Sequence, residues 1–344
     1  MDDDDVDDDF DIAQPVYSNG CYANPPEWQF RLPGATAVAK WLLCTRSDAA
    51  IPADPHTLDN TLPVVRPEFI SDMTREERGR IRCTWIGHAT VLLQMDGVTF
   101  LTDPTWADRA SAVSFAGPRR FRPPPCSIDQ LPHIDFVLIS HNHYDHLDVP
   151  TVRAIETRFP DVQWYVPMGL KRWMLGTAGC ARVHQLSWGE QCSHSRTTQI
   201  VCLPAQHWST RSLIDRFKTL WCGWAVLSTK HRFYFAGDTG YCGDGTEFLK
   251  IGRKYGPFDL AAIPIGCYEP RDFMRSQHID PLEAVHIHNA IGARNSLGIH
   301  WGTFAMGSTE FYLEPRNQLA ALHDKLQVGT TFRTAAHGET WQIE

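Results

Sequence analysis

Residues 140–146, which read Ser-His-Asn-His-Tyr-Asp-His, restrict the possible structures of this chain more than any other segment. They directly follow the apolar run of residues 134–140, which predicts a buried strand. Four potential metal ligands thus fall within six residues at the end of that strand. Buried histidines need a partner for every ring nitrogen, and an apolar core does not provide such partners. The segment therefore predicts a metal site.

The spacing within the segment indicates how the ligands are shared. His141 and His143 are two residues apart, so an extended backbone points both side chains to the same side. Asp145 and His146 follow and turn another way. This pattern suits one loop that supplies two adjacent metal ions. Imidazole and carboxylate donors together favour zinc, with iron and manganese as alternatives.

Further donors follow other predicted strands. His207 comes after the strand predicted over residues 199–203, and His300 ends the one over residues 296–300. Asp238 follows the predicted strand 232–236 and lies between two glycines that permit a sharp turn. Side chains at the ends of several strands converge where a sheet presents its loops. The sequence therefore predicts one shared cluster.

The order of these donors resembles the metallo-β-lactamase superfamily over about residues 81–344. The resemblance implies an α/β fold, an αβ/βα four-layer sandwich of two packed mixed sheets with helices outside. It also implies two zinc ions per chain, which lower the pKa of a shared water so that it attacks the substrate. By resemblance, the first zinc is held by His141, His143 and His207, the second by Asp145, His146 and His300, and Asp238 bridges both.

Longer stretches resemble the N-acyl-phosphatidylethanolamine-hydrolysing phospholipase D family. They include Ile-Gly-His-Ala-Thr at residues 86–90, Gln-His-Ile-Asp-Pro at 277–281 and Ile-His-Trp-Gly-Thr-Phe-Ala at 299–305. This resemblance implies hydrolysis of N-acyl-phosphatidylethanolamine to N-acylethanolamine and phosphatidic acid. It implies catalytic roles for Asp145 and His278, and contacts of Tyr144 and His278 with the substrate phosphate. A histidine at position 278 would donate a hydrogen bond to phosphate or protonate the leaving oxygen.

Two further polar residues are candidates for orienting the ligands. Asp103 follows a predicted strand, where a carboxylate can accept a hydrogen bond from a metal-bound histidine. His88 would do the same or lie in the core.

Other functions remain open at this point. The same zinc site would serve a lactonase or a phosphodiesterase acting on RNA, and a related fold without metal would serve as a binding scaffold. The net charge is -8, and residues 2–11 carry eight aspartates, so the remainder is close to neutral. A near-neutral body lacks the basic surface that nucleic acid requires, and we expect no nucleic-acid partner. A scaffold would be expected to lose ligands, whereas every expected ligand position here is filled.

The chain divides into three predicted parts. Residues 1–12 form a disordered acidic tail, residues 13–70 an extended arm rich in proline, and residues 71–344 the catalytic domain. The arm carries an apolar patch, for which we expect packing on the body, with a membrane or dimer surface as the alternative. Its members are Trp28, Phe30, Trp41, Leu42 and Leu43. The resemblance implies peripheral contact with a phospholipid membrane, for which residues 123–126 are a second candidate, and allows a homodimer.

Composition addresses the cellular location. The ten cysteines include no Cys-x-x-Cys pair, and the first residues lack a secretory signal, so we expect an intracellular protein with reduced thiols. No apolar run approaches the roughly 18 residues of a membrane-spanning helix. By resemblance, the expected location is the cytosolic face of internal membranes such as the Golgi or endosome, or the cytosol.

Overall fold

The computed structural model describes residues 11–34, 36, 49–212 and 214–343. In this part of the chain the strands, numbered β1 to β16, are Val16–Ser18, Cys21–Ala23, Ile81–Gly87, Thr90–Met95, Val98–Thr102, Phe136–Leu138, Gln163–Pro167, Val183–Leu186, Gln191–Ser193, Gln199–Leu203, Gly223–Leu227, Arg232–Phe235, Leu260–Pro264, Asn295–Ile299, Thr331–Arg333 and Thr340–Ile343. The α-helices, numbered α1 to α7, are Pro55–Thr61, Val149–Arg158, Lys171–Trp173, Thr246–Tyr255, Arg271–Met274, Pro281–Ala290 and Glu314–Ala321. Short 3-10 turns lie at Pro26–Trp28, Glu77–Gly79, Ile128–Gln130 and His323–Lys325, and a π turn at Met174–Ala178.

The long strands form two mixed sheets of seven strands each among the described residues. The first sheet has the order β16-β3-β4-β5-β6-β7-β8, and the second β15-β14-β13-β12-β11-β10-β9. In the first sheet the strands from β5 to β8 are parallel, and in the second those from β12 to β15 are parallel. The remaining pairs are antiparallel. The predicted fold class, two mixed sheets with helices in an α/β protein, is confirmed.

The alternation of side chains along the strands explains the layers. On β4, Leu93 packs in the cluster between the sheets, whereas its neighbour Leu92 packs in a second cluster with helix α2. Between the sheets, the rings of Phe100 and Phe233 lie 5.6 Å apart. The indole of Trp224 reaches across to donate to the carbonyl of Ile139 at 3.0 Å. These buried aromatic contacts hold the two sheets face to face.

The order of Asp280, Pro281 and Glu283, a capping residue followed by proline and glutamate, predicts that a helix begins here, and helix α6 does. The Asp280 carboxylate accepts from the backbone N–H of Glu283, the Glu283 carboxylate accepts from that of Asp280, and Pro281 is the first helical residue. Such a capping box satisfies two N–H groups that an α-helix leaves unpaired. The predicted N-terminus of this helix is confirmed. The cap matters for the site because His278 lies two residues before it.

Most predicted strands exist, with shifted ends. Those predicted over residues 199–203 and 260–264 match β10 and β13. The strand predicted over residues 134–140 is shorter, since β6 spans Phe136–Leu138 only. Several short strands at sheet edges have no counterpart in the prediction, among them β8, β9, β15 and β16. They span three or four residues each, too few to show an alternating pattern.

The predicted arm contacts the body closely. Trp28 is 6% exposed and its ring stacks on Trp188 at 5.5 Å, so this residue packs on the body as expected. Leu58 and Leu62, on and just after helix α1, join the core between the sheets. Trp41, Leu42 and Leu43 lie outside the described residues, as do residues 1–10 of the acidic tail. The boundaries of tail, arm and catalytic domain stay predictions.

Among the residues with a described structure, no helix has both the length and the hydropathy needed to span a membrane.

Candidate metal centre

The predicted ligands meet at one edge of the sandwich. Residues 141–146 follow β6 of the first sheet, and His207, Asp238 and His300 follow β10, β12 and β14 of the second. These three strands run in the same direction, because β10 and β12 are both antiparallel to β11, and β12 to β14 are parallel. Their carboxyl ends therefore open onto the same space as the loop after β6.

The first group of donors consists of three imidazoles. The Nδ1 atom of His143 lies 2.8 Å from Nε2 of His141 and 3.2 Å from Nε2 of His207. In a tetrahedral site with Zn–N bonds of 2.0–2.1 Å, two nitrogens lie about 3.3 Å apart. Three ring nitrogens at such spacing fit one metal ion.

The second group combines a carboxylate with two imidazoles. Oδ2 of Asp145 lies 3.2 Å from Nε2 of His146 and 3.6 Å from Nε2 of His300. The two Nε2 atoms are 3.3 Å apart. This second set also fits a single ion, with mixed nitrogen and oxygen donors.

Asp238 lies between the two groups. Its Oδ2 atom is 3.1 Å from Nε2 of His146, 3.7 Å from Nε2 of His207 and 3.9 Å from Nε2 of His141. Gly237 makes this placement possible, because it adopts φ +60° and a Cβ there would lie 2.6 Å from that of Ser140. The carboxylate is positioned to share its oxygens between two metal ions.

Burial keeps the first group neutral. It lowers the pKa of His141 and His207 well below the usual range, and that of His143 to about 4. Neutral imidazole is the form that binds metal, so this group is ready to coordinate without releasing protons.

The second group attracts positive charge. Burial opposes ionisation of His300, but Asp238 and Asp145 outweigh it and raise its pKa to about 9. Burial would likewise raise the pKa of Asp238, yet His146 and His300 hold it well below its usual value. Two buried carboxylates among histidines form an environment that a divalent cation satisfies.

Asp103 orients two of the candidate ligands. Its Oδ2 atom accepts from Nδ1 of His146 at 2.7 Å and from the Ser140 hydroxyl, which in turn contacts Nδ1 of His141 at 2.9 Å. Its Oδ1 atom accepts from the Ser140 backbone N–H. One carboxylate thus fixes the rings of both histidines with their Nε2 atoms toward the cluster.

The His88 ring makes its hydrogen bond to a carboxylate rather than to a histidine. Its Nε2 atom lies 2.8 Å from Oδ2 of Asp145, and the ring lies 4.0 Å from that of His300, tilted by 38°. Burial lowers the pKa of His88 to about 3, so the neutral ring donates one hydrogen bond to Asp145. The structure places His88 beside the second group, and not in a separate part of the core.

His207 is held by hydrogen bonds of its backbone carbonyl and of Nδ1, the ring nitrogen that faces away from the other donors. Nδ1 of His207 lies 3.0 Å from the carbonyl of Gln277. Its own carbonyl accepts from the Asn24 amide at 2.9 Å, a contact from the N-terminal arm across 183 residues of sequence. The loops before α6 and after β2 therefore fix this ligand from both sides.

A cavity of about 780 Å³ opens above the donors. Candidate ligands and His278 line its floor, whereas its walls are largely apolar. The wall residues include Ala110, Pro118, Trp208, Met274 and Met306. A large, mostly apolar space with a few convergent polar groups suits an extended ligand with one polar centre.

His278 lies on the floor of this cavity beside both groups. Its Nδ1 atom is 3.9 Å from Oδ2 of Asp238 and is buried without a hydrogen-bond partner among the described residues. Burial lowers the pKa of His278 to about 4. The ring can therefore exchange a hydrogen bond with a bound ligand at no cost in protein contacts.

Tyr144 also lines the cavity, but its hydroxyl is engaged. It donates to the carbonyl of Arg211 at 2.7 Å. A tyrosine has one O–H to donate, so a hydrogen bond from Tyr144 to a phosphate would require this contact to break. The contact of Tyr144 with substrate stays a prediction.

Comparison with known proteins decides the family. Residues 99–301 match the family described as "Beta-lactamase superfamily domain". The chain is 49% identical to "N-acyl-phosphatidylethanolamine-hydrolyzing phospholipase D 1" of Caenorhabditis elegans, over 97% of this chain and 96% of the worm protein. The chain belongs to the N-acyl-phosphatidylethanolamine-hydrolysing phospholipase D family. This confirms the resemblance found in the sequence.

A second relative of this phospholipase D family is more distant. The Saccharomyces cerevisiae protein named "N-acyl-phosphatidylethanolamine-hydrolyzing phospholipase D, mitochondrial" is 33% identical over 81% of this chain and 66% of its own length. Among solved structures, Igni18, a metallo hydrolase from Ignicoccus hospitalis, superposes with a TM-score of 0.57 at 20% identity, over 77% of this chain and 99% of its own. This likeness supports the fold alone. The two phospholipase D relatives place this family member among the hydrolases.

Several residues that shape the site have no recognisable signal of their own in the sequence. Ser140 couples Asp103 to His141, and Gln277 anchors His207 through its carbonyl and Trp208 through its side chain. Arg211 contacts the backbone of the segment that carries four of the candidate ligands, residues 141–146, and of Leu147 directly after it. A serine, a glutamine and an arginine in loops carry no distinctive spacing. Only their closeness to the histidines in the sequence, three residues or fewer for most of them, was a usable signal.

Proposed function

We propose that this protein hydrolyses the phosphodiester of N-acyl-phosphatidylethanolamine and releases N-acylethanolamine and phosphatidic acid. The position of Asp238 between two sets of metal donors, where it lines a large and mostly apolar cavity, carries this proposal. The name of the worm relative, over nearly the whole of both chains, supplies the substrate.

We infer two zinc ions as the cofactors, one in each group of donors. His141, His143 and His207 would hold the first, and Asp145, His146 and His300 the second, with Asp238 shared. When bound, the pair would lower the pKa of water and neutralise charge on the phosphate oxygens. The nitrogen-rich first group favours zinc over magnesium or calcium, which prefer oxygen.

His278 would act on the substrate itself. Its unpartnered Nδ1 atom faces Asp238, where a phosphate bridging the two groups would lie. A histidine there would donate a hydrogen bond to a phosphoryl oxygen, or deliver a proton to the leaving oxygen. Tyr144 remains a second candidate for phosphate contact, provided that its hydroxyl leaves the Arg211 carbonyl.

Product analysis tests the reaction. Purified protein would be incubated with vesicles containing N-acyl-phosphatidylethanolamine, with and without a zinc chelator, and the lipids identified by mass spectrometry. We expect N-acylethanolamine and phosphatidic acid in equal amounts, and neither after chelation. Release of a free fatty acid, or hydrolysis of small lactones in place of the phospholipid, would contradict the proposal.

A diacyl substrate requires contact with a membrane surface, and we propose that the rim of the cavity makes it. Ala110 and Pro118 line the cavity at the base of one loop, whose tip carries Phe115 at 81% exposure. Ser212 lines it from another loop, on which Ile214 is also 81% exposed. Apolar side chains on two loops around one cavity suit insertion into lipid.

Replacement of both exposed apolar residues, Phe115 and Ile214, by aspartate tests this contact. The double variant Phe115→Asp with Ile214→Asp should sediment less with vesicles, while its metal content stays normal. Val328→Asp is the control, since Val328 is fully exposed and lies away from the cavity lining. Equal loss of sedimentation in both variants would contradict the assignment.

Three further expectations stand as proposals. By family resemblance, the protein would act at the cytosolic face of internal membranes or in the cytosol, and would be able to form a homodimer. From its composition, the chain would consist of a tail, an arm and a catalytic domain bounded near residues 12 and 70. Light scattering on the intact chain tests the dimer. Deletion of residues 2–11 tests the tail, and we expect vesicle binding and turnover to change by less than about twofold, as for other surface changes.

A further inference from the structure

Arg211 connects two parts of the metal centre that are far apart in sequence. It lies four residues after His207 and lines the cavity. Its Nη1 atom donates to the carbonyl of Asn142 at 2.9 Å and to that of Leu147 at 2.7 Å. These two residues bracket the part of the ligand segment that carries His143, Asp145 and His146. One guanidinium therefore ties both ends of that segment to the loop after β10.

Aromatic rings hold the guanidinium in place. Its centre lies 4.1 Å from the ring of Tyr144 and 4.8 Å from that of Trp173. The Tyr144 hydroxyl donates back to the Arg211 carbonyl. The contact between Arg211 and the ligand segment is thus reciprocal, with side-chain and backbone atoms of both partners involved.

The buried charge of Arg211 is stabilised by carbonyls and aromatic rings instead of by a carboxylate. Among the described residues, it makes no ion pair with a carboxylate, and burial lowers its pKa. Burying a guanidinium costs free energy unless its N–H groups find partners, and here two backbone carbonyls accept from Nη1 while two aromatic rings cover the guanidinium. A planar guanidinium can hold two carbonyls in one fixed geometry, which a lysine ammonium does less well.

We propose that Arg211 is a positioning residue that sets how tightly the second group of donors retains its metal ion. By fixing Asn142 and Leu147, it keeps Asp145 and His146 turned toward His300. Tyr144 is the other half of this clamp. The inference rests on the proposed metal site, and it adds a residue that touches neither metal nor substrate.

A positioning role for Arg211 predicts changes in metal retention and kcat, but not in KM. A residue that positions ligands affects metal retention and kcat, whereas a residue that binds substrate mainly raises KM. Partners outside the ligand shell typically change metal affinity by about 10- to 100-fold. Tyr144→Phe removes only the hydroxyl, so it separates a clamp role for Tyr144 from contact with the substrate phosphate.

The experiment compares metal retention in matched variants of the full chain. Zinc-loaded wild type, Arg211→Ala, Arg211→Lys, Tyr144→Phe and Arg216→Ala would be titrated with EDTA, and bound zinc measured by mass spectrometry. Arg216 is the control, because it lies in the same loop, lines the same cavity and packs on Trp208 without contacting residues 142–147. Urea unfolding of each variant shows that the fold persists.

We expect Arg211→Ala to lose half its zinc at an EDTA concentration about 10- to 100-fold below that of wild type. Arg211→Lys and Tyr144→Phe should lose half their zinc at EDTA concentrations between those of Arg211→Ala and wild type, with KM unchanged. These two variants keep the test decisive if Arg211→Ala does not fold. Arg216→Ala should retain zinc as well as the wild type does.

Two results would overturn the inference. One is wild-type zinc retention in all Arg211 and Tyr144 variants. The other is a raised KM with normal retention, which would make these residues substrate contacts. If the wild-type protein itself held no zinc, the proposed metal site would fail instead, so the two failures are distinguishable.

Discussion

The two sheets contribute to the metal centre in different ways. The first sheet supplies His141, His143, Asp145 and His146 from one loop after β6. The second supplies a single donor after each of β10, β12 and β14. The first set is positioned by a continuous local backbone, and the second by the pairing of strands β10 to β14. Asp238 and His300 can therefore approach each other only when β12, β13 and β14 are paired.

Asp238 is the residue on which both contributions depend, so its replacement should have the largest effect. Asp238→Asn keeps the shape but removes the charge shared between the two groups. We expect turnover to be abolished and bound metal to fall, while urea unfolding shows that the metal-free protein still folds. Metal analysis and product analysis on the same sample check this. Full activity in Asp238→Asn would rule out a bridging role.

In the proposed assignment His278 belongs to neither set of ligands, although it lies close enough to Asp238 and His300 to form a third possible group, so its variant separates chemistry from metal binding. We expect His278→Asn to lower kcat by about 10²- to 10⁴-fold, the usual contribution of a general acid or base. Metal content should remain at the wild-type level. His288→Asn is a suitable control, since His288 is buried on α6 and its ring contacts Ser296, Thr330 and Phe332 rather than the candidate ligands. A parallel loss of metal from His278→Asn would make His278 a ligand.

Asp103 supports the first sheet's segment alone. Asp103→Asn should weaken metal retention by about 10- to 100-fold, because the His146 ring loses its charged acceptor and so does the Ser140 hydroxyl that contacts His141. Asp96→Asn is a matched control, because Asp96 also carries a buried carboxylate at positive φ. That carboxylate makes its hydrogen bonds with the backbone N–H and the ring of His231. If both variants retained metal equally, the orienting role of Asp103 would be wrong.

Asn24 supports a donor of the second sheet from the arm. Asn24→Ala removes one hydrogen bond to the His207 carbonyl, worth about 1 kcal/mol, or roughly fivefold in an equilibrium constant. We expect zinc retention to fall by no more than that, and kcat/KM to follow. A loss as large as that of Asp103→Asn would show that the arm determines the site more strongly than one hydrogen bond allows.

The contrast between the sheets also explains what the sequence could predict. The loop after β6 is a contiguous pattern, and its four donors stand out from the residues alone. His207, Asp238 and His300 are single residues at strand ends, and their grouping required the order of donors known from a superfamily. Gly237 gave a local signal, since a glycine before an aspartate at the end of a strand indicates a sharp turn.

Contacts that depend on tertiary packing were not predictable. Arg211 and Asn24 act through backbone carbonyls that lie 64–69 and 183 residues away, and no periodicity relates such positions. The core strands were found because they are long and apolar. The short edge strands were not, because their pairing partners, and not their own side chains, decide their conformation.

Metal titration of the stripped protein tests the central claim most directly. Protein freed of metal by a chelator would receive zinc in steps, with bound zinc and hydrolysis of N-acyl-phosphatidylethanolamine in vesicles measured at each step. The two donor groups predict no activity without metal and full activity only when the second ion has bound. Full activity in the stripped protein, or saturation at one zinc per chain, would contradict a shared two-metal centre.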